Sequence, residues 1–133
     1  MFMKKLLLAI VVFLSGCSME PKYLTEFYTG TLDEVTKAVI TDGSSGYRKT
    51  ISDQKEIKEL MNRMQNVTFI QEENQEDRSG FRYAITFFEG EIQTFQFTIN
   101  EVDGTYYQTE PDLYPLIDDF YKKLPEEEEA IFH

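Results

Sequence analysis

The sequence predicts a single α+β domain in which two helices pack on one face of a mainly antiparallel sheet of about five strands. Three observations lead to this fold class. Short stretches of alternating apolar residues are separated by glycine-containing turns, and two longer segments carry apolar residues at helical spacing. Almost all links between the predicted strands are short, which favours antiparallel pairing. We place the domain at residues 32–125.

Two strands open the predicted domain. Residues 35–41 are rich in β-branched side chains, and residues 47–52 alternate apolar and polar positions. The intervening segment, residues 42–46, reads Asp-Gly-Ser-Ser-Gly and consists of turn-forming residues. The sequence therefore predicts a hairpin over residues 34–52.

The next element is a helix with a well-marked beginning. Ser52 or Asp53 can cap it, and Glu56 stands three residues after Asp53, as in a capping box. Apolar side chains at helical spacing form one stripe, which comprises Ile57, Leu60, Met61 and Met64. We expect this stripe to pack in the core, although a stripe that contains methionine can also form an adaptable binding surface.

The middle of the chain combines a polar loop with two aromatic-rich strands. Residues 67–71 resemble a short strand, and residues 72–80 are strongly polar, which predicts a mobile loop. One face of the first aromatic-rich strand carries Phe81, Tyr83, Ile85 and Phe87, and one face of the second carries Phe95, Phe97 and Ile99.

The register of these two strands follows from their apolar faces. A two-residue loop at Glu89 and Gly90 would place Arg82 opposite Phe97, whereas an odd loop or a bulge keeps the apolar faces together. We favour the odd loop, with Ile85 opposite Phe95 and Tyr83 opposite Phe97.

The C-terminal part predicts one more strand and one more helix. Asp103-Gly104 is a strong turn signal before a strand at residues 105–109. Asp112 can cap the last helix, and Pro125 ends it. Its apolar face comprises Leu113, Leu116, Ile117, Phe120 and Leu124. Residues 126–133 are predicted to be an acidic tail.

Composition excludes several classes of function. The formal net charge is −11 and no basic cluster occurs, which argues against binding to nucleic acid. The only histidine is the final residue, His133, and the only cysteine is Cys17, so a zinc site or a cysteine–histidine nucleophile is not expected. We predict no metal, no cofactor and no identifiable catalytic residue, and an enzyme is the less favoured interpretation.

The N-terminus carries the most specific signal. Two lysines precede an apolar run, Leu6–Leu14, which is too short to span a membrane and fits a signal peptide. The following Leu14-Ser15-Gly16-Cys17 resembles the lipobox of bacterial lipoproteins. The resemblance implies that a lipoprotein signal peptidase recognises Leu14, Ser15 and Gly16 and removes residues 1–16. It also implies that Cys17 carries a diacylglyceryl group and that its new N-terminus can be acylated, for example with palmitate.

Residues 17–31 are then the lipidated cysteine and a tether, part of which can dock on the domain through its aromatic side chains. The stretch VTKAVITDGSSGYRKTISDQKEIKELMNRM, residues 35–64, is similar in layout to small cell-surface lipoproteins of Gram-positive bacteria. This resemblance implies attachment to the outer leaflet of the cell membrane, with a Gram-negative host as the alternative. It implies no activity.

Tyrosines provide the candidates for ligand binding. Tyr106 and Tyr107 are adjacent on a predicted strand, so one of them must face away from the core. A surface patch for a peptide, glycan or protein could comprise Tyr47, Tyr106, Tyr107, Tyr114 and Tyr121. Tyrosine is favoured at such surfaces, and the alternative is that these side chains lie at the edge of the core.

The sequence thus favours a membrane-anchored extracytoplasmic binding or accessory module for a protein, peptide or envelope ligand. One alternative is a hydrolase of envelope polymers, which requires a cleft with two carboxyl groups, one of raised pKa. A weakly cation-binding acidic protein is the other alternative.

Overall fold

A computed structural model describes residues 20–28 and 30–131. The predicted lipidation site, Cys17, and the predicted recognition residues, Leu14–Gly16, lie outside the described residues. Within them the fold is α+β, as predicted, with a mostly antiparallel sheet and three helices: α1 (Leu24–Phe27), α2 (Gln54–Met64) and α3 (Leu113–Lys123). A single 3-10 turn spans Leu32–Glu34. None of the helices in this part of the chain has the length and apolar character needed to cross a bilayer.

The sheet has nine strands, and every pairing between them is antiparallel. Their order across the sheet is β1-β4-β8-β7-β6-β5-β2-β3-β9. The strands are β1 (Lys22–Tyr23), β2 (Lys37–Asp42), β3 (Tyr47–Ile51), β4 (Thr68–Gln71), β5 (Tyr83–Glu89), β6 (Ile92–Thr98), β7 (Glu101–Val102), β8 (Thr105–Glu110) and β9 (Glu129–Ala130).

The predicted number of about five strands is therefore wrong. Three of the additional strands, β1, β7 and β9, have two residues each. Such short strands cannot show an alternating pattern, because the pattern needs at least four residues to be recognised.

The β2–β3 hairpin forms as predicted, although β2 begins at Lys37 rather than at Val35. The Asp42 carboxylate accepts hydrogen bonds from the Ser44 backbone N–H (2.9 Å) and hydroxyl (2.8 Å), which fixes the turn. At the same turn, the Gly43 N–H donates to the Arg82 carbonyl at 2.8 Å. The turn is therefore attached to the chain that enters β5.

The register of β5 and β6 differs from the favoured odd loop. A two-residue turn joins Glu89 to Ile92, and a bulge lies next to Phe87. Gly90 has a φ of 65°, which suits a tight turn. The bulge then places Phe87 opposite Phe95 and Ile85 opposite Phe97. Ile85 was expected opposite Phe95, so its partner on β6 differs from the expected one by two residues. A shift by an even number of residues keeps each side chain on the same face, and the apolar faces therefore stay together.

One hydrophobic core joins the sheet to the helices. Ile57, Leu60 and Met64 of α2 are buried in the same cluster as Ile117 and Phe120 of α3 and the inward side chains of the sheet. Aromatic rings fill its centre in edge-to-face contacts, such as Phe69 with Tyr107 at 6.0 Å between ring centroids.

The core also includes part of the predicted tether. Leu24 and Tyr28 are buried, and Phe27 packs edge to face against Phe69. The Tyr23 N–H donates to the Glu26 carboxylate at 2.7 Å and stabilises the start of α1. The packed domain therefore begins before residue 32.

The acidic segment after α3 is docked rather than free. We call residues 125–131 the C-terminal arm. Its strand β9 pairs with the start of β3, and the Ile131 N–H donates to the Gly46 carbonyl at 2.9 Å. The Tyr121 hydroxyl donates to Glu128 at 2.7 Å, and Arg48 lies 3.6 Å from Glu129. Specific partners on β3 and α3 thus hold the predicted tail.

Candidate functional site

A groove of about 610 Å³ lies between α2 and the N-terminal segment that carries α1 and the 3-10 turn. Its volume falls within the range of pockets that bind small molecules or peptide side chains. The groove is lined by Thr25, Leu32, Asp33, Val35, Gln54, Ile57, Lys58, Met61, Asn62 and Gln65.

The lining divides into an apolar set and a polar set. Val35 and Ile57 are buried, while Leu32 and Met61 are half-buried and pack against the core. Three amide side chains, one threonine, one acid and one lysine complete the lining: Gln54, Asn62, Gln65, Thr25, Asp33 and Lys58. Apolar surface with a few polar groups is the usual composition of a binding site.

Helical spacing explains why Met61 lies in the groove. In α2, Ile57, Leu60 and Met64 are buried, whereas Met61 lies at the margin of the apolar face and is only half-buried. Most of the predicted methionine-bearing stripe therefore packs in the core, and one of its residues, Met61, lines the groove. The contribution of the 3-10 turn has no sequence signal, because it depends on the docking of the tether.

The five candidate tyrosines do not form one surface patch. Tyr47 is 43% exposed at the start of β3, and Tyr114 is half-buried on α3. Tyr106, Tyr107 and Tyr121 are buried, which corrects the expectation that they contribute to an exposed patch. The predicted divergence of Tyr106 and Tyr107 does occur, because Tyr107 belongs to the main core and Tyr106 is covered from outside by the loop of residues 72–80.

That loop is pinned to β8 by three of its residues, the first of which is Glu72, whose N–H donates to the Tyr106 carbonyl at 3.1 Å. The Gln75 side chain donates to the Tyr106 carbonyl at 3.0 Å and accepts from the Tyr106 N–H at 2.8 Å, as a neighbouring strand would. The Arg78 guanidinium lies over the Tyr106 ring at 4.3 Å, and the Arg78 N–H donates to the Tyr106 hydroxyl. These contacts explain how Tyr106 is buried on the outer side of the sheet.

A second group of tyrosines anchors α3 to the sheet. The Tyr83 hydroxyl donates to the Asp118 carboxylate at 2.7 Å, and the Tyr83 ring lies 5.5 Å from that of Tyr121. Burial and this hydrogen bond raise the pKa of Tyr83, so its hydroxyl remains a donor at neutral pH. The hydroxyl of Tyr83 and the ammonium of Lys122 lower the pKa of Asp118. The Tyr83–Asp118 contact is therefore maintained at neutral pH, and it serves to position α3.

A pair of carboxyl groups joins α2 to the C-terminal arm. Glu56 and Glu126 each bury one carboxyl oxygen, Oε1, that has no hydrogen-bond donor among the described residues, and the two carboxyl groups interact with each other. Glu56 therefore does not complete the predicted capping box, although Asp53 caps α2 by accepting from the Lys55 and Glu56 N–H groups at 2.8 and 3.3 Å. The hydrogen bond with Glu126 and partial burial raise the pKa of Glu56 to about 7.

This pair meets only part of the requirement for a hydrolase of envelope polymers. It includes a carboxyl group of raised pKa, as that hypothesis predicts. The two groups are in direct contact, however, whereas glycoside hydrolysis needs carboxyl groups about 5–10 Å apart with substrate between them. Neither glutamate lines the groove beside α2.

No metal-binding group was found in the described residues. Across residues 20–28 and 30–131, no three His, Cys, Asp or Glu side chains are grouped so that they could hold a metal ion. Comparison of the chain with known protein families, with curated proteins and with solved structures gave no match.

Proposed function

We propose that this protein is a lipid-anchored extracytoplasmic binding module and that the groove beside α2 takes a peptide segment of an envelope protein. The groove is the observation that carries the proposal, because it combines apolar surface with amide side chains on one stable helix. Peptides present apolar side chains together with backbone N–H and C=O groups, and this lining offers partners for both.

The lipobox supports the proposed location. Leu14-Ser15-Gly16-Cys17 follows a short apolar run, and lipid on Cys17 would hold the mature chain at the membrane surface. Thr25, which lines the groove, follows Cys17 by eight residues. Eight residues span at most about 28 Å when fully extended, so the groove would lie close to the membrane. Its partner is then expected to be a membrane-bound or membrane-proximal protein.

The anchor is tested by a Cys17→Ala variant, with Ser18→Ala as the matched control. We expect wild type and Ser18→Ala to remain with the membranes after an alkaline wash, because a diacyl anchor resists removal of peripheral proteins. Cys17→Ala should lose its lipid mass and its membrane retention. If Cys17→Ala is retained as well as wild type, the lipid anchor is refuted.

The groove is tested separately with a photo-cross-linking amino acid on intact cells. Placed at Met61, the probe points to the proposed peptide site, and placed at Ile92, which is 69% exposed on β6, it serves as the control. We expect a defined adduct from position 61 that position 92 does not give. A Lys58→Glu change should weaken that adduct, because it reverses a charge in the lining of the groove. Equal labelling from both positions, or none from position 61, would refute the groove as the site.

A hydrolase remains the second candidate function, and the raised pKa of Glu56 favours it. It predicts that purified protein releases fragments from envelope polymers and that Glu56→Gln abolishes the release. The binding-module proposal predicts no such release by either protein.

A further inference from the structure

We propose that the Glu56–Glu126 pair is a proton-dependent latch for the C-terminal arm. With one shared proton the pair holds the arm against α2, and with both carboxyl groups ionised it repels the arm. This is a regulatory property of the fold and does not depend on the identity of any ligand.

The environment of the pair favours a shared proton. The Oε1 atoms of Glu56 and Glu126 are buried, and neither receives a hydrogen bond from the described residues. A buried carboxylate oxygen without a donor is costly, and two ionised carboxylates in contact repel each other. One proton between them supplies the missing donor and removes the repulsion.

The charged groups around Glu56 do not offset that repulsion. Asp53 and Glu59 of α2 and Glu126 of the arm all disfavour ionisation of Glu56. The two cations of β3 contact other groups: the Lys49 ammonium donates to the carbonyls of Tyr121 and Leu124, and Arg48 pairs with Glu129. Ionisation of the pair therefore acts directly on the attachment of the arm.

The remaining attachments of the arm are few, so the latch can control it. They are the two-residue pairing of β9 with β3, the Ile131–Gly46 hydrogen bond, the Tyr121–Glu128 hydrogen bond and the Arg48–Glu129 ion pair. The ion pair is exposed and contributes little. Opening of the latch would detach β9 and expose the backbone edge of β3 at Tyr47 and Arg48.

Opening is expected near neutral pH, since the pKa of Glu56 is raised to about 7. The test is amide hydrogen exchange of the full-length chain in detergent micelles between pH 5.5 and 8.5. The quantity compared is the protection factor, which is the exchange rate relative to that of an unstructured chain at the same pH. Ile131 reports on the arm, because its N–H donates to Gly46. Ile40, which is fully buried in the central strand β2, reports on the whole domain.

We expect the Ile131 protection factor of wild type to fall about tenfold with a midpoint near pH 7, while that of Ile40 stays constant. Glu56→Gln should abolish the fall, because its amide donates to Glu126 at every pH. Glu127→Gln removes an exposed carboxylate from the same arm and should leave the fall unchanged. Glu126→Gln is the second variant. It places the amide on the other partner and should also abolish the fall.

Three results would overturn the latch. The first is an Ile131 protection factor in wild type that does not vary with pH. The second is the same fall in Glu56→Gln or Glu126→Gln as in wild type. The third is a parallel fall at Ile40, which would mean that the whole domain is losing stability.

Discussion

A Lys49→Met substitution tests how α3 is held at its C-terminal end. Lys49 lies on β3 and is only 8% exposed. Its ammonium donates to the Tyr121 carbonyl at 2.8 Å and to the Leu124 carbonyl at 3.0 Å, and it lies 4.8 Å from the centre of the Tyr121 ring. The last carbonyls of a helix lack partners in the helical ladder. The Tyr121 carbonyl also accepts from the Leu124 N–H at 3.3 Å, whereas Lys49 is the donor to the Leu124 carbonyl.

The expected loss is about 2–3 kcal/mol in the free energy of unfolding. A hydrogen bond from a charged donor contributes about 1.5–3 kcal/mol, and Lys49 makes two of them. The favourable interaction of a cation with the helix dipole adds about 0.3–1 kcal/mol. Part of this sum is offset, because methionine keeps the packing of the alkyl chain and avoids the cost of desolvating an ammonium group.

Urea denaturation followed by circular dichroism measures the loss. With a slope of about 1–3 kcal/mol per molar urea, a change of this size lowers the midpoint by about 0.7–3 M and leaves the slope unchanged. Lys55→Met is the matched control, since Lys55 is exposed on α2, and its effect should stay within about 0.5 kcal/mol. If Lys49→Met changes stability no more than Lys55→Met does, the two hydrogen bonds do not hold the end of α3.

Two further predictions concern the turn at Gly43 and the pH dependence of stability. A Cβ atom at Gly43 would lie 1.9 Å from the Phe81 carbonyl oxygen, so Gly43→Ala should lower the free energy of unfolding by about 2 kcal/mol or more. At Gly46 a Cβ atom would meet open space, and only the φ of 80° disfavours alanine. Gly46→Ala should therefore lower the free energy of unfolding by only about 1 kcal/mol. The raised pKa of Glu56 means that the folded state binds more protons than the unfolded state between about pH 4.5 and 7, so this group's contribution to stability is lost as pH rises through that window. With screening at this half-buried site, we expect wild type to lose about 1–2 kcal/mol relative to Glu56→Gln between pH 5 and 7.5, and equal pH profiles would contradict the assignment.

Sequence patterns predicted those elements that are determined by residues close together in the chain. The helices α2 and α3 follow from capping aspartates and apolar spacing, and the Asp103-Gly104 turn follows from residues that tolerate positive φ. The faces of β5 and β6 were also predictable, because alternation specifies a face. Their exact pairing was not, because a bulge changes the register without changing the apolar pattern.

Features that depend on distant partners escaped prediction. Glu56 fits a capping box in sequence, but its carboxyl group meets Glu126, which is seventy residues away in the chain. The run Glu126–Glu129 looks like a solvated tail, yet Tyr121 and Arg48 bind two of its carboxylates. The groove is built in part by the docked tether, so neither its shape nor the exposure of Met61 could be derived from the pattern of α2 alone.

The two outer strands of the sheet have a consequence for behaviour at high concentration. An open sheet ends in two rows of backbone groups, and long exposed rows allow copies to join into aggregates. Here both ends are closed by two-residue strands, β1 and β9, which come from opposite ends of the described chain. Strands this short offer too few hydrogen bonds to template another copy, and the glutamates beside β9 add charge repulsion. The two short outer strands therefore disfavour edge-to-edge association between copies of this chain.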